Sequence, residues 1–197
     1  YALGFYDKVN TITMVGLVVG FVLAMIICFV RKAMPVLVPL YAFAEGAALA
    51  GLSCMFESMC PGIVIQAVAL TFVTFFAMLF LYATRVIQAT ERFKGTIITA
   101  TFAVMIFYLI NLVLSLFHIN IPMMSITDGS MLSIGVSIAI TLLAAFNLII
   151  DFDFIEQGAR NFFPKDYEWF GAFGLMVTLV WLYMEVLRLL SKLNSRR

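Results

Sequence analysis

Charge is what this chain has least of. Only 12% of its 197 residues are charged, and 12 basic against 11 acidic residues leave a formal net charge of +1. There is no polycationic field to gather nucleic acid and no long acidic tail. The three cysteines, Cys28, Cys54 and Cys60, lack zinc-site spacing. Cys54 and Cys60 fall near one helix end, where oxidation would join them; the alternative is three free thiols acting as small hydrophobes. The sequence also lacks HExxH, GxSxG and a phosphate-binding glycine loop, so no enzyme and no cofactor is indicated. Polar stretches between the apolar runs are too short to form a soluble domain.

What remains is apolar. Hydrophobic residues make up 64% of the chain, far from the near-even split of soluble domains. The reading is an all-α, polytopic membrane helical bundle forming a single transmembrane domain over residues 1–197. A bilayer core needs about twenty mostly apolar residues per helix, and six segments meet that length, near residues 10–30, 36–56, 63–84, 96–117, 131–153 and 169–190. Arg31, Lys32 and Pro35 close the first, and Cys60, Pro61 and Gly62 separate the second from the third. Phe162, Phe163, Tyr167 and Trp169 cluster at one boundary, as in an aromatic belt at headgroup level.

Lys and Arg in short loops resist translocation and so set orientation. Connections one, three and five hold Arg31, Lys32, Arg85, Arg92, Lys94, Arg160 and Lys165, while the opposite face holds Lys8 before the tail is counted. The odd connections are therefore expected in the cytoplasm. Lys192, Arg196 and Arg197 at the C-terminus violate the rule if the last helix crosses fully, leaving either an exceptional tail or a re-entrant helix.

Against this apolar background the acids stand out, since a charge at the centre of a bilayer costs a few kcal/mol or more and marks a functional site by default. Asp151, Asp153, Glu156 and Glu185 fall in or against apolar helices, and Glu45 lies within the second span. Helical rise puts Glu45 about 13 Å and Glu185 about 24 Å from the ends of their spans, with Asp151 and Asp153 near the cytoplasmic boundary. Glu185 and Arg188 have the i, i+3 spacing of an intrahelical ion pair. Gly171, Gly174, Thr178, Trp181, Glu185 and Arg188 form a stripe expected to pack inside the bundle. Ser133, Ser137 and Thr141 share a face of the fifth span, with Asn147 one turn before Asp151, reading as interhelical packing or as a hydrophilic track. His118, the only histidine, is expected at an exposed helix end.

The acidic end of the fifth span, Asp151-Phe-Asp-Phe-Ile, the second-span segment PLYAFAEGAALAGLS around Gly46, and ARNFFPKDYEWFGAFGLMVTLVWLYMEVLRLL together resemble the transmembrane Bax inhibitor family, in particular its bacterial YccA-like branch. The resemblance covers most of the chain. It implies a seven-helix fold of which this chain carries the last six spans, the first being expected to precede Tyr1, and a bacterial inner membrane location. It also implies a pH-sensitive calcium leak, in which an aspartate ending the sixth family helix pairs with one in the seventh. Asp151 matches the first aspartate; at the second this chain has Thr178, so the pair does not carry over intact.

Paired carboxylates in a low-dielectric site share a proton, and calcium competes for the same oxygens. The expected ion path and pH sensor therefore comprises Asp151, Glu45, Asp153 and Glu185, with transient calcium at Asp151 and Glu45. Thr178 lies about 13 Å deep, level with Glu45, which suggests that Glu45 takes over the lost role; the alternative is that Glu45 hydrogen-bonds a neighbouring helix. Arg31, Lys32, Thr178 and Arg188 are candidates for a gate or latch, although Arg31 and Lys32 equally fit positive-inside anchors. The expected partners are the lipid bilayer, calcium and protons. YccA-like proteins are also associated with modulation of a membrane protease, and an interaction role of that kind is the competing function.

Overall fold

A computed structural model describes residues 2–117 and 130–195, with side chains from residue 9 onward except those of Arg31 and Leu116. Six helices follow one another: α1 (Ala2–Phe29), α2 (Met34–Met59), α3 (Ile63–Ala83), α4 (Glu91–Leu116), α5 (Met131–Arg160) and α6 (Asp166–Ser195), with a 3₁₀ turn at Arg31–Ala33. Each of the six is long and apolar enough to cross a membrane. The six expected helices and the all-α bundle are thus observed, with α5 and α6 longer than expected, and the protein is a multi-pass integral membrane protein. His118 lies outside the described residues.

Local chemistry explains where the helices stop and start. A proline occupies the first turn of α2, where a missing N–H costs nothing. Between α2 and α3 the chain reverses through Gly62 at φ 83, a left-handed conformation open to glycine. The Glu57 carboxylate then accepts from the N–H of Gly62 at 2.6 Å and of Val64 at 3.2 Å, capping the exposed first turn of α3. Thr90 and Ser130 cap α4 and α5 by accepting from the backbone N–H groups of Phe93 and Ser133. The thiols of Cys28, Cys54 and Cys60 are free.

Between helices in lipid there is no net hydrophobic drive, so close packing and polar contacts must hold the bundle. The α1–α2 pair uses small residues. A Cβ on Gly16 would lie 2.8 Å from the Ala44 carbonyl oxygen and 3.0 Å from the Ala48 nitrogen, and one on Gly51 would lie 1.7 Å from the Thr13 hydroxyl. Only glycine permits that approach. Gly46, by contrast, has open space around it.

α5 and α6 form the antiparallel centre of the bundle. Leu148 and Ile149 of α5 and Leu182 and Leu187 of α6 are fully buried, in a core shared with α2 and α3. A second core joins Leu23 and Ile27 of α1, Val38 and Tyr41 of α2 and Phe173 of α6. Gly171 packs on Ile155 at one end of the pair and Lys192 reaches Ser137 at the other, a rise of about 31 Å along α6. α6 therefore runs the length of α5, and the re-entrant alternative does not form.

α4 is peripheral. Of its described side chains only Ile97 is buried, and large apolar residues such as Phe102, Met105, Leu109 and Leu112 face outward. What ties α4 to the bundle is mainly a polar edge, described next.

Candidate functional site

Three polar rungs join α4 to α5 and α6. At one end, Lys94 pairs with Asp153 at 2.6 Å. In the middle, the Asn147 amide donates to the Thr101 hydroxyl at 2.8 Å. Further along, the Tyr108 hydroxyl donates to Glu185 at 2.6 Å and accepts from Arg188 at 2.6 Å. Lys94, Thr101 and Tyr108 are seven apart, two helical turns, so they line one edge of α4.

The Glu185 rung is the most deeply buried. Glu185 is 1% exposed and also accepts from Arg188 at 3.0 Å and from the Trp181 indole at 3.3 Å, and the Arg188 guanidinium lies 5.2 Å above the Tyr108 ring. The i, i+3 ion pair expected from spacing is what forms. Its interhelical partner, Tyr108, is 77 residues distant and left no local signal.

Lys192, counted above among the topogenic charges of the tail, is instead inside the bundle. It is 2% exposed and donates to the Ser137 hydroxyl at 2.8 Å and the Ser133 carbonyl at 3.5 Å. The Ser133/Ser137 face of α5 is thus a seat for this ammonium group, and Thr141 on the same face turns its hydroxyl back to the Ser137 carbonyl.

The rung at Asp153 extends into a cluster. Tyr82 of α3 donates to Glu156 and, at 3.5 Å, to Asp153, and Arg160 pairs with Glu156. With Arg85 and Thr90 these residues border a cavity of about 470 Å³ where α3, α4 and α5 converge. Glu156 remains partly open to solvent, whereas Asp153 is drawn in between Lys94 and Tyr82.

Asp151 lies deeper than expected. α5 does not end near residue 153 but continues to Arg160, which leaves Asp151 about 13 Å inside its end rather than at the boundary. The extra turns hold because their polar side chains bond to α3, α4 and one another instead of breaking the helix. Asp151 faces Thr178 across the α5–α6 seam and packs against Gly174, where an added Cβ would lie 3.5 Å from Oδ1. Its Oδ2 is buried and has no hydrogen-bond partner among the described residues. The structure therefore brings together Asp151 and Thr178, the position where the family resemblance places a second aspartate.

Glu45 sits near the middle of α2, partly buried, with its carboxylate over Gly20 of α1; a Cβ there would lie 2.7 Å from Glu45 Oε2. Tyr41, one turn earlier, packs edge-on against Phe173 of α6 at 5.0 Å. Glu45 and Asp151 thus occupy two separate helix seams, linked through the Tyr41–Phe173 contact beside Gly174. Lys32 is exposed on the α1–α2 turn and is in no ion pair among the described residues, and the Arg31 side chain lies outside them. No group of three or more potential metal ligands occurs among the described residues.

No curated protein and no solved structure matches the chain. A family model described as Bax inhibitor 1 like does match, over residues 1–195, covering both the small-residue α1–α2 pair and the Asp151–Thr178 contact between α5 and α6. The chain belongs to the Bax inhibitor 1 like family.

Proposed function

We propose that this protein is a passive, proton-regulated cation leak, with calcium as the ion, in which Asp151 is the principal sensor. The observation that carries the reading is the Asp151 carboxylate, set well inside α5 against Gly174 and Thr178 of α6, with Oδ2 buried and without a hydrogen-bond partner among the described residues. A charged group in that position is costly, so the site favours either a proton or a passing cation on the free oxygen. Asp151 and Thr178 together offer far fewer oxygens than the six to eight or so that calcium takes. Calcium crossing here would keep most of its water, which suits passage rather than storage.

Glu45 serves in this reading as a second acid, on the α1–α2 seam, coupled to Asp151 through Tyr41 and Phe173. Asp153 forms the cytoplasmic mouth with its Lys94 latch, and Glu185 holds its helix through Arg188 and Tyr108. In this reading the odd-numbered connections face the cytoplasm, as the distribution of Lys and Arg favours.

The test is calcium flux into proteoliposomes at mildly acidic and mildly alkaline pH, comparing the parent with Asp151→Asn and Glu45→Gln. The reading expects pH-dependent flux that Asp151→Asn abolishes or frees from pH, with a smaller effect of Glu45→Gln. Absence of flux from folded protein would overturn it and leave interaction with a membrane protease as the function to pursue.

A further inference from the structure

The connection between α5 and α6 carries a feature that the leak does not use. Phe162 is 93% exposed and adopts φ 52, a left-handed conformation that is an outlier for a bulky side chain. Its neighbour Phe163 turns back instead. The Phe163 N–H donates to the Gly158 carbonyl at 3.0 Å, and its ring packs on Tyr167 at 5.1 Å. The two rings thereby diverge and wall an apolar groove of about 690 Å³, floored by Phe154 and Ile155 of α5 and bordered by Lys165 and Glu168. That volume lies within the range of about 300–1,000 Å³ typical of ligand sites.

The charges at the mouth restrict what fits. Arg160, the nearest cation on α5, is committed to Glu156. Lys165 and Glu168 are exposed, lie on one side of the first turn of α6, and form no ion pair among the described residues. One cation and one anion beside an apolar groove, at the headgroup level of a spanning hairpin, complement an amphiphile whose head carries both signs.

We propose that this groove binds one zwitterionic phospholipid with a primary amine, such as phosphatidylethanolamine. One acyl chain lies along Phe154 and Ile155, the phosphate meets Lys165, and the ammonium donates to Glu168 in charge-assisted hydrogen bonds. An anionic lipid would satisfy Lys165 but face Glu168 with no cation of its own. An aromatic belt alone requires rings at the interface but neither a concavity nor a charge pair. The proposal is independent of conduction, since no residue of the groove is in the Asp151 or Glu45 sites.

Delipidated full chain in detergent is titrated with phosphatidylethanolamine or phosphatidylglycerol, and bound lipid is counted by native mass spectrometry. One phosphatidylethanolamine should bind saturably, about tenfold more tightly than phosphatidylglycerol, the scale of one charge-assisted contact. Glu168→Lys should erase or reverse that preference, whereas Lys165→Glu should weaken both lipids and leave phosphatidylethanolamine the preferred one. Ala172→Trp, placed on the exposed groove wall, should block both lipids while thermal unfolding remains that of the parent. Equal binding of the two lipids, a preference for phosphatidylglycerol, or indifference to the variants would overturn the proposal in favour of an unselective aromatic belt.

Discussion

Replacing Glu185 by alanine should be the most damaging single change in the bundle. The carboxylate is 1% exposed and accepts from three side chains, Tyr108, Trp181 and Arg188, so its loss leaves a guanidinium, a phenol and an indole N–H without their shared acceptor. Removing one partner of a buried ion pair costs about 3–5 kcal/mol, mostly the penalty of the charge left behind. Tyr108→Phe deletes only hydroxyl contacts, and interhelical hydrogen bonds in membranes average about 0.6 kcal/mol with a maximum near 1.7, so its cost should stay within about that range. Glu185→Ala with Arg188→Ala removes the orphaned charge and should be less destabilised than the sum of the single changes by at least about 1 kcal/mol. Reversible unfolding in mixed micelles with graded dodecyl sulfate measures the parent, the three single variants, Arg188→Ala included, and the double variant, and Trp181 beside Glu185 supplies the fluorescence signal. A cost below about 1 kcal/mol for Glu185→Ala, or additivity in the double variant, would refute the reasoning: Arg188, one-quarter exposed, would then reach headgroups unaided.

Four further outcomes follow from the geometry. Gly51→Ala drives a methyl into the Thr13 hydroxyl and should destabilise by about 1–3 kcal/mol, whereas Gly46→Ala, in open space, should be neutral or mildly stabilising in the same unfolding assay. Glu57→Ala leaves the N–H groups of Gly62 and Val64 uncapped and should cost about 0.5–2 kcal/mol, read as faster amide exchange at the start of α3. Lys94→Met breaks a partly buried pair with Asp153 and should cost about 1 kcal/mol, with greater proteolysis of the α3–α4 connection as the local readout. Thr178→Val removes the hydroxyl that faces Asp151 and should lower stability by about 1 kcal/mol, while Thr178→Ser should restore the parent value.

The spans were legible because unbroken apolar runs of bilayer length have few alternative structures, and the Glu185–Arg188 pair because its spacing is local. The end of α5 was not. Asp153, Glu156, Gln157 and Gly158 resemble a helix terminus until their partners are known, and those partners, Tyr82 and Lys94, belong to other helices. Lys192 was misplaced for a related reason: a basic residue near a chain end has the composition of a tail, and only its seat against Ser137 shows it to be core. Asp151 and Thr178 were matched through family resemblance rather than through any pattern between them, and their contact depends on how α5 and α6 align. Gly46 drew attention as the centre of a small-residue helix, yet the close approach is made at Gly51, because the number of small residues does not reveal which face meets the neighbour.

The polar edge of α4 also sets a scale of heights. Because most of its surface is apolar and faces outward, little besides Lys94, Thr101 and Tyr108 fixes how far α4 stands along α5 and α6. Sliding it by four residues, so that Ile98, Met105 and Leu112 stand opposite Asp153, Asn147 and Glu185, would forfeit every rung. A slide of seven residues, about 10.5 Å, instead offers Thr101 to Asp153 and Tyr108 to Asn147, which is again a hydrogen-bonding match. α4 therefore has discrete stops rather than a continuum of positions, as a graduated rod has notches.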